Sequence, residues 1–265
     1  MSEKTRQHEF ELILDAPSEA VWRAISTGEG IRQWFAPVAE IDARLGGEFK
    51  LGWGPGMEGS APLSVFEEGK RIGWTEDHGP RGQRVVEFTV ESAGGKTKLR
   101  LVQSGFGADA SFDNEYESTG GGWRTFLACL RYYVEAMRNA PGRHECRMTM
   151  LQVDAHALWR RLTAEMDLAG QDWTPGTPYR AFIPDGGTIS GIVVDSPKPR
   201  YAVLRCDELG GSLLALFCEN FGGACALTAS WYLYGAGLGE NPPLLADWNR
   251  YFDTLAAAGA AGGAS

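Results

Sequence analysis

Apolar and polar residues alternate over residues 7–14, which predicts a strand. Asp15-Ala16-Pro17-Ser18 ends it, with Ser18 placed to cap a helix whose apolar stripe is Ala20, Val21, Ala24 and Ile25. Gly28 and Gly30 interrupt that helix, and a short second one carries Ile31, Trp34 and Phe35 before Pro37. Strands are then predicted at 38–43, 47–53, 61–68, 70–77, 83–92 and 96–104. Glycine turns at Gly46-Gly47, Gly69-Lys70, Gly79-Pro80 and Gly94-Gly95 make them consecutive and antiparallel. Residues 96–101, KTKLRL, alternate as a half-buried strand should. Trp123, Phe126, Leu127, Leu130, Val134 and Met137 share one helical face, so a long helix is predicted over 113–138. Asn139-Ala140-Pro141-Gly142 ends it and marks a boundary. The order implies an α+β domain whose curved sheet wraps the long helix and leaves a cavity between them.

The pattern then repeats. HEFELILDAPSEAVWRAI (8–25) aligns with ECRMTMLQVDAHALWRRL (145–162), setting Trp22 against Trp159. VESAGGKTKLRL (90–101) aligns with CENFGGACALTA (218–229), and the helix from Trp123 is echoed from Trp248. A period this long means two copies of a domain, since solenoid units repeat every 20–50 residues. The second copy predicts a strand at 145–153 and a helix at 155–168 capped by Asp154. Strands follow at 179–183, 188–195, 200–207, 212–219 and 224–234, then a helix at 242–257 opened by Pro242-Pro243. The shorter spacing from Trp159 to Arg200 places a deletion in the second helix and the first meander strands. The expected domains are 1–140 and 141–258, with a disordered low-complexity tail at 259–265.

SLLALFC (212–218) and ACALTASWYLY (224–234) are apolar at nearly every position. Such strands are covered on both faces. The helix carrying Leu244, Leu245, Trp248, Phe252 and Leu255 covers one; the other needs the first domain or a second chain, giving a homodimer through the second domain. The competing reading is that Thr228, Ser230 and Tyr232 make that face wet.

Composition narrows the partners. The 265 residues carry 25 basic and 34 acidic side chains, a net charge of −9, with −5 of it before residue 141 and −4 after. No basic stripe exists to neutralise phosphates, which argues against nucleic acid and anionic membrane surfaces. There is no apolar leader and no run of 18 apolar residues, so a cytoplasmic protein is expected. Five scattered cysteines (Cys129, Cys146, Cys206, Cys218 and Cys225) read as buried hydrophobes in a reducing compartment, and no metal or cofactor is expected.

Little in the sequence carries enzyme chemistry. Gly52-Trp53-Gly54-Pro55-Gly56 is followed by a strand, not the helix a phosphate cradle requires, and reads as a hairpin turn. Glu76 and His78 lie on one face of a strand with Asp77 on the other, and beside Gly79-Pro80 they read first as a solvated hairpin end. No catalytic residue is assigned. Aromatics are more suggestive: Trp53, Phe66, Trp74 and Phe88 lie on successive strands, and Trp123 and Phe126 on the long helix. They either line a cavity or fill a core.

The first half resembles the heat-shock-protein ATPase activator homologue-like (Aha-type) family of the START-related helix-grip superfamily. The residues carrying the likeness are APSEAVWRAIS (16–26), Gln33-Trp34-Phe35, LGGEFKLGW (45–53), GKRIGWTEDH (69–78), VVEFTVES (85–92), GGKTKLRLVQSGF (94–106) and GGGWRTFLACLRYYVE (120–135). The second half lacks these signatures and is assigned as a degenerate helix-grip domain through the repeat. The resemblance implies two tandem helix-grip domains and a stress-response setting. The leading reading is a small hydrophobic ligand in the first cavity, which the aromatic and helical pattern would line with Trp53, Trp74, Phe88, Trp123, Leu127 and Leu130, with Phe35 at the mouth. Two alternatives remain. One is a cyclase/aromatase- or hydrolase-type enzyme drawing on Glu76, His78 or Glu58. The other is co-chaperone action on a chaperone or other protein.

Overall fold

A computed structural model describes residues 5–54, 56–138, 140–197, 199–221, 224–239 and 242–261. In the first half the order is β1 (Thr5–Leu14), α1 (Ser18–Ser26), α2 (Gly28–Ile31), β2 (Val38–Ile41), β3 (Glu48–Gly52), β4 (Glu58–Glu67), β5 (Arg71–Asp77), β6 (Gln83–Ala93), β7 (Lys96–Gly107) and α3 (Asp113–Glu135). The second half runs β8 (Gly142–Leu151), α4 (Ala155–Glu165), β9 (Pro178–Phe182), β10 (Thr188–Asp195), β11 (Tyr201–Cys206), β12 (Ser212–Phe221), β13 (Ala224–Tyr234) and α5 (Pro243–Ala261).

Both sheets are antiparallel. The first has seven strands in the order β1-β7-β6-β5-β4-β3-β2 and the second has six in the order β8-β13-β12-β11-β10-β9. These are the same path: first strand against last, then a meander outward. Only α2 and β2 lack counterparts, which is where the sequence alignment put the deletion. The chain is therefore α+β, with two tandem domains of helix-grip type. By contacts it divides into one compact unit of Met1–Gly120 with Cys129–Ala140 and another of Gly121–Ala128 with Pro141–Ser265.

In the first unit the β6–β7 hairpin turns through Gly94 and Gly95, at φ of 61° and 87°. Two successive positive φ values make the tight turn whose twist matches the flanking strands, and glycine adopts them without strain. β7 alternates buried and half-buried residues, as KTKLRL required. The cap of α1 differs from expectation: Pro17 occupies the position before the helix and no side chain caps it, so Ser18 is the first helical residue. Thr27 does cap α2, its hydroxyl accepting from the Gly30 amide at 3.0 Å. Trp34 is fully buried behind this corner, and its indole donates to the Ala24 carbonyl at 2.9 Å.

In the second unit Asp154 caps α4 as expected, accepting from the Ala157 amide at 2.9 Å. Leu214, Leu216 and Cys218 of β12 and Leu227, Ala229, Trp231 and Leu233 of β13 face a core shared with Leu158 and Leu162 of α4 and Leu245, Trp248 and Phe252 of α5. The opposite face is buried too. Leu213 stands opposite Tyr232, Ala215 opposite Ser230 and Phe217 opposite Thr228, and all six are excluded from solvent. Thr228, Ser230 and Tyr232 are buried and thus do not make that face wet. Residues 121–128, part of this unit, lie there: the Phe126 ring meets Phe217 edge-on at 6.1 Å. α5 includes residues 259–261, the start of the low-complexity tail; residues 262–265, Pro55 of the glycine-rich turn and Gly222-Gly223 lie outside the described residues. Among the described residues no helix is long and apolar enough to cross a membrane.

Candidate functional site

Alternation along β5 and β6 decides which side chains point inward. Ile72 and Trp74 of β5 and Val86, Phe88 and Val90 of β6 are buried, while Glu87 lies on the other face in ion pair with Arg71. From this inner face a continuous chain of rings runs through the first unit. Trp74 stacks on Phe49 at 4.0 Å and lies 6.2 Å from Phe88. Phe88 meets Trp34 edge-on at 6.2 Å, and Trp34 stacks on Phe35 at 5.3 Å. Phe35 meets Trp53 edge-on at 5.3 Å, and Trp53, just beyond β3, is only half-buried. The chain of six rings thus begins at the half-buried Trp53, passes under β6 and β5, and ends at Phe49 on β3.

The residues singled out from sequence fall into two groups. Phe35, Trp53, Trp74, Phe88 and Leu130 belong to the first unit, and all but Trp53 are buried. Trp123 and Leu127, equally buried, fall in the stretch grouped with the second unit. There Trp123 contacts Phe126, and the rings continue through Phe217 to Tyr201 at 6.0 Å. Trp34 and Phe49, which link the first chain of rings, were not singled out. Their signal was present: Trp34 sits in the helical corner and Phe49 alternates in phase with Leu51.

At the end of β5 the inner face turns polar. The Trp74 indole donates to Glu76 Oε1 at 2.9 Å, and His78 Nε2 lies 3.2 Å from Glu76 Oε2. Alternation therefore places Trp74, Glu76 and His78 on one face. Trp74 is 2 % exposed, whereas the Glu76 and His78 side chains are 38 % and 41 % exposed, so the pair stands at the rim of the ring chain. Glu58, the third acid considered, is exposed at the far end of β4.

Beside this pair lies a feature that sequence reading missed. Arg84 stands opposite Glu76 in the β5–β6 register, and its side chain is 1 % exposed. A buried guanidinium must be paired. Its Nε donates to Glu115 Oε1 on α3 at 2.8 Å, and its Nη1 to the Arg81 and Gly105 carbonyls at 2.9 and 2.8 Å. Arg81 donates to the other oxygen of Glu115 at 2.6 Å. Burial raises the pKa of the Glu115 carboxyl, but the hydrogen bonds from Arg81 and Arg84 outweigh it and hold the pKa below its ordinary value. The signal was the phase of Arg84, which shares the inward parity of Val86, Phe88 and Val90. Among the described residues no group of three His, Cys, Asp or Glu side chains is placed to hold a metal ion.

Comparison with known proteins bears on the first half. Residues 15–135 match the family model described as activator of Hsp90 ATPase homolog 1-like protein, and no family model covers the second half. No curated protein matches the chain. Among solved structures, a conserved Enterococcus faecalis protein of unknown function is 25 % identical, over 52 % of this chain and 75 % of that one, at a TM-score of 0.43. CalU16 from Micromonospora echinospora is 25 % identical over 51 % and 80 %, at 0.41. The Aha1 dimer from Colwellia psychrerythraea is 17 % identical over 49 % and 96 %, at 0.44.

Proposed function

We propose that the first domain, whose residues 15–135 match the model of the activator of Hsp90 ATPase homolog 1-like family, binds a small hydrophobic ligand against the inner face of its sheet. The observation carrying this reading is the half-buried Trp53 at the open end of a ring chain that reaches Trp74 and Phe49. Large aromatic surface left partly exposed next to a buried aromatic run is what an apolar ligand would cover. Phe35, Trp53, Trp74, Phe88 and Leu130 are the contacts proposed. The second domain is structural, a role supported by a sheet buried on both faces. The odd, scattered cysteines support a reducing, cytoplasmic setting.

The test is calorimetric titration of the full chain with flavonoids, fatty acids and polyketide-like aromatics, repeated on Trp53→Ala. Binding with a Kd below about 100 μM, about −5.5 kcal/mol, and weakened by that substitution is expected. No binding by any class would overturn the reading.

One observation favours a second reading, an enzyme of cyclase or hydrolase type. The Glu76–His78 contact sets a carboxylate beside an imidazole, an arrangement suited to general base work. Turnover of an activated aryl ester that is lost in both Glu76→Gln and His78→Gln would establish it; turnover unchanged in both would exclude this pair.

A further inference from the structure

We infer that the ligand of the first domain is neutral and ends in a hydroxyl donor rather than a carboxylate. This inference rests on the ligand-binding reading and concerns which molecules that site selects. It follows from where the sheet keeps its charges.

Arg71, Lys98 and Arg100 lie on the outer face of the strands, each already paired, and Arg6 of β1 is held by Asp113 of α3. Arg71 meets Glu67 and Glu87, Lys98 meets Glu11, and Arg100 meets Glu9. Lys50 faces Glu40 across β2 and β3. On the inner face of β5 and β6 the one cation is Arg84, and its guanidinium is consumed by Glu115 and by backbone carbonyls. Arg81 is held by Glu115 and by the Ser111 carbonyl. An incoming carboxylate would have to break this pairing to find a positive partner.

Glu76 offers the reverse. Its two oxygens take the Trp74 indole and the His78 ring, and each carboxylate oxygen has a second acceptor position. Because the Trp74 indole donates to Glu76, a molecule seated against Trp74 meets the Glu76 carboxylate. A hydroxyl there donates a charge-assisted hydrogen bond. A carboxylate there meets like charge in a partly desolvated rim.

The experiment uses matched probes on the full chain at pH 7.5: 2-naphthol against 2-naphthoate, and 1-decanol against decanoate, measured by calorimetry. Each alcohol should bind at least tenfold more tightly than its acid, about 1.4 kcal/mol. In Glu76→Gln, whose amide oxygen can still accept from Trp74, that gap should close to about threefold or less. Equal binding of alcohol and acid, or a gap that survives Glu76→Gln, overturns the inference while leaving the ligand-binding reading intact. Binding by neither member of either pair, with no other class bound in the wider titration, overturns the reading and the inference with it.

Discussion

Arg84 and Glu115 meet at 2.7 Å between β6 and α3, and the arginine is almost completely buried. This contact ties the start of the long helix to the sheet, and two more join it. His8 of β1 lies with Nε2 2.7 Å from the Tyr116 carbonyl, and the Tyr116 hydroxyl donates to the Gln7 carbonyl at 2.8 Å. The Arg84 guanidinium also rests over the Phe106 ring at 4.9 Å. Replacing Arg84 with Met keeps the stem but leaves one Glu115 oxygen and three carbonyls without this donor. A loss of about 3 kcal/mol is expected, the low end for a broken buried pair because Arg81 still holds Glu115. Urea denaturation measures it; a loss below about 1 kcal/mol would mean that the contact is not structural.

The same pair sets an acid limb. The carboxyl of Glu115 has its folded pKa below the unfolded value, so it contributes stability that is fully present above the unfolded value, about 4.3. That stability is lost as pH falls through the folded pKa. Melting temperature should therefore drop below about pH 4.3, and Glu115→Gln should melt lower at pH 7 yet show a flatter acid limb. Parallel acid limbs for the two proteins would rule Glu115 out as their source.

Gly105 sits at the bulge of β7, where the register with β1 slips between Arg6 and Gln7. Its φ is +98°, and an added Cβ would lie 2.0 Å from the Gln83 carbonyl oxygen. Both strain and collision oppose any side chain. Gly105→Ala should cost at least about 2 kcal/mol, and, since the Gly105 carbonyl accepts from Arg84, should also weaken the Arg84 site. Coupling between Gly105→Ala and Arg84→Met in a double-mutant cycle is the measurement; simple additivity would separate the two.

β13 offers a direct test of a sheet covered on both faces. Ala229 points to the α4–α5 core, and Ser230 to the opposite face, yet both are buried. Ala229→Lys and Ser230→Lys should each destabilise by about 3 kcal/mol or more, because each buries an unpaired charge. Ile13→Lys is the control, since Ile13 is 51 % exposed on β1 and should shift stability by no more than about 0.5 kcal/mol. If Ser230→Lys behaves like the Ile13 variant, the second face is not covered.

The fold was largely legible because its signals are local. Alternation marked β7, three-and-four spacing marked α3, and the glycine pairs marked the hairpins. The cap of α1 was misread because Pro17 and Ser18 are both suited to a helix start, and propensity alone does not choose between adjacent positions. The candidate site was legible only in part. Trp53, Trp74 and Phe88 were recognisable as a set, since strand phase points them inward, and Phe35 was marked by the helical corner before Pro37. That Trp123 and Leu127 group with the other unit was not, because a helical stripe names the buried residues without naming what they are buried against.

The sequence by itself determined the two-copy α+β order, the antiparallel meanders, the place of the deletion and the likeness of residues 8–138 to the Aha-type family. These depend on period, turn chemistry and motif order, all carried along a single stretch of chain. Tertiary structure alone decided that Trp53 to Phe49 form one ring path, that the Trp74 indole donates to Glu76, and that Arg84 pairs with Glu115. It also decided that Thr228, Ser230 and Tyr232 are buried. These facts depend on register between strands and on contacts between residues tens of positions apart, and pairings of that kind leave no mark on local hydrophobic pattern.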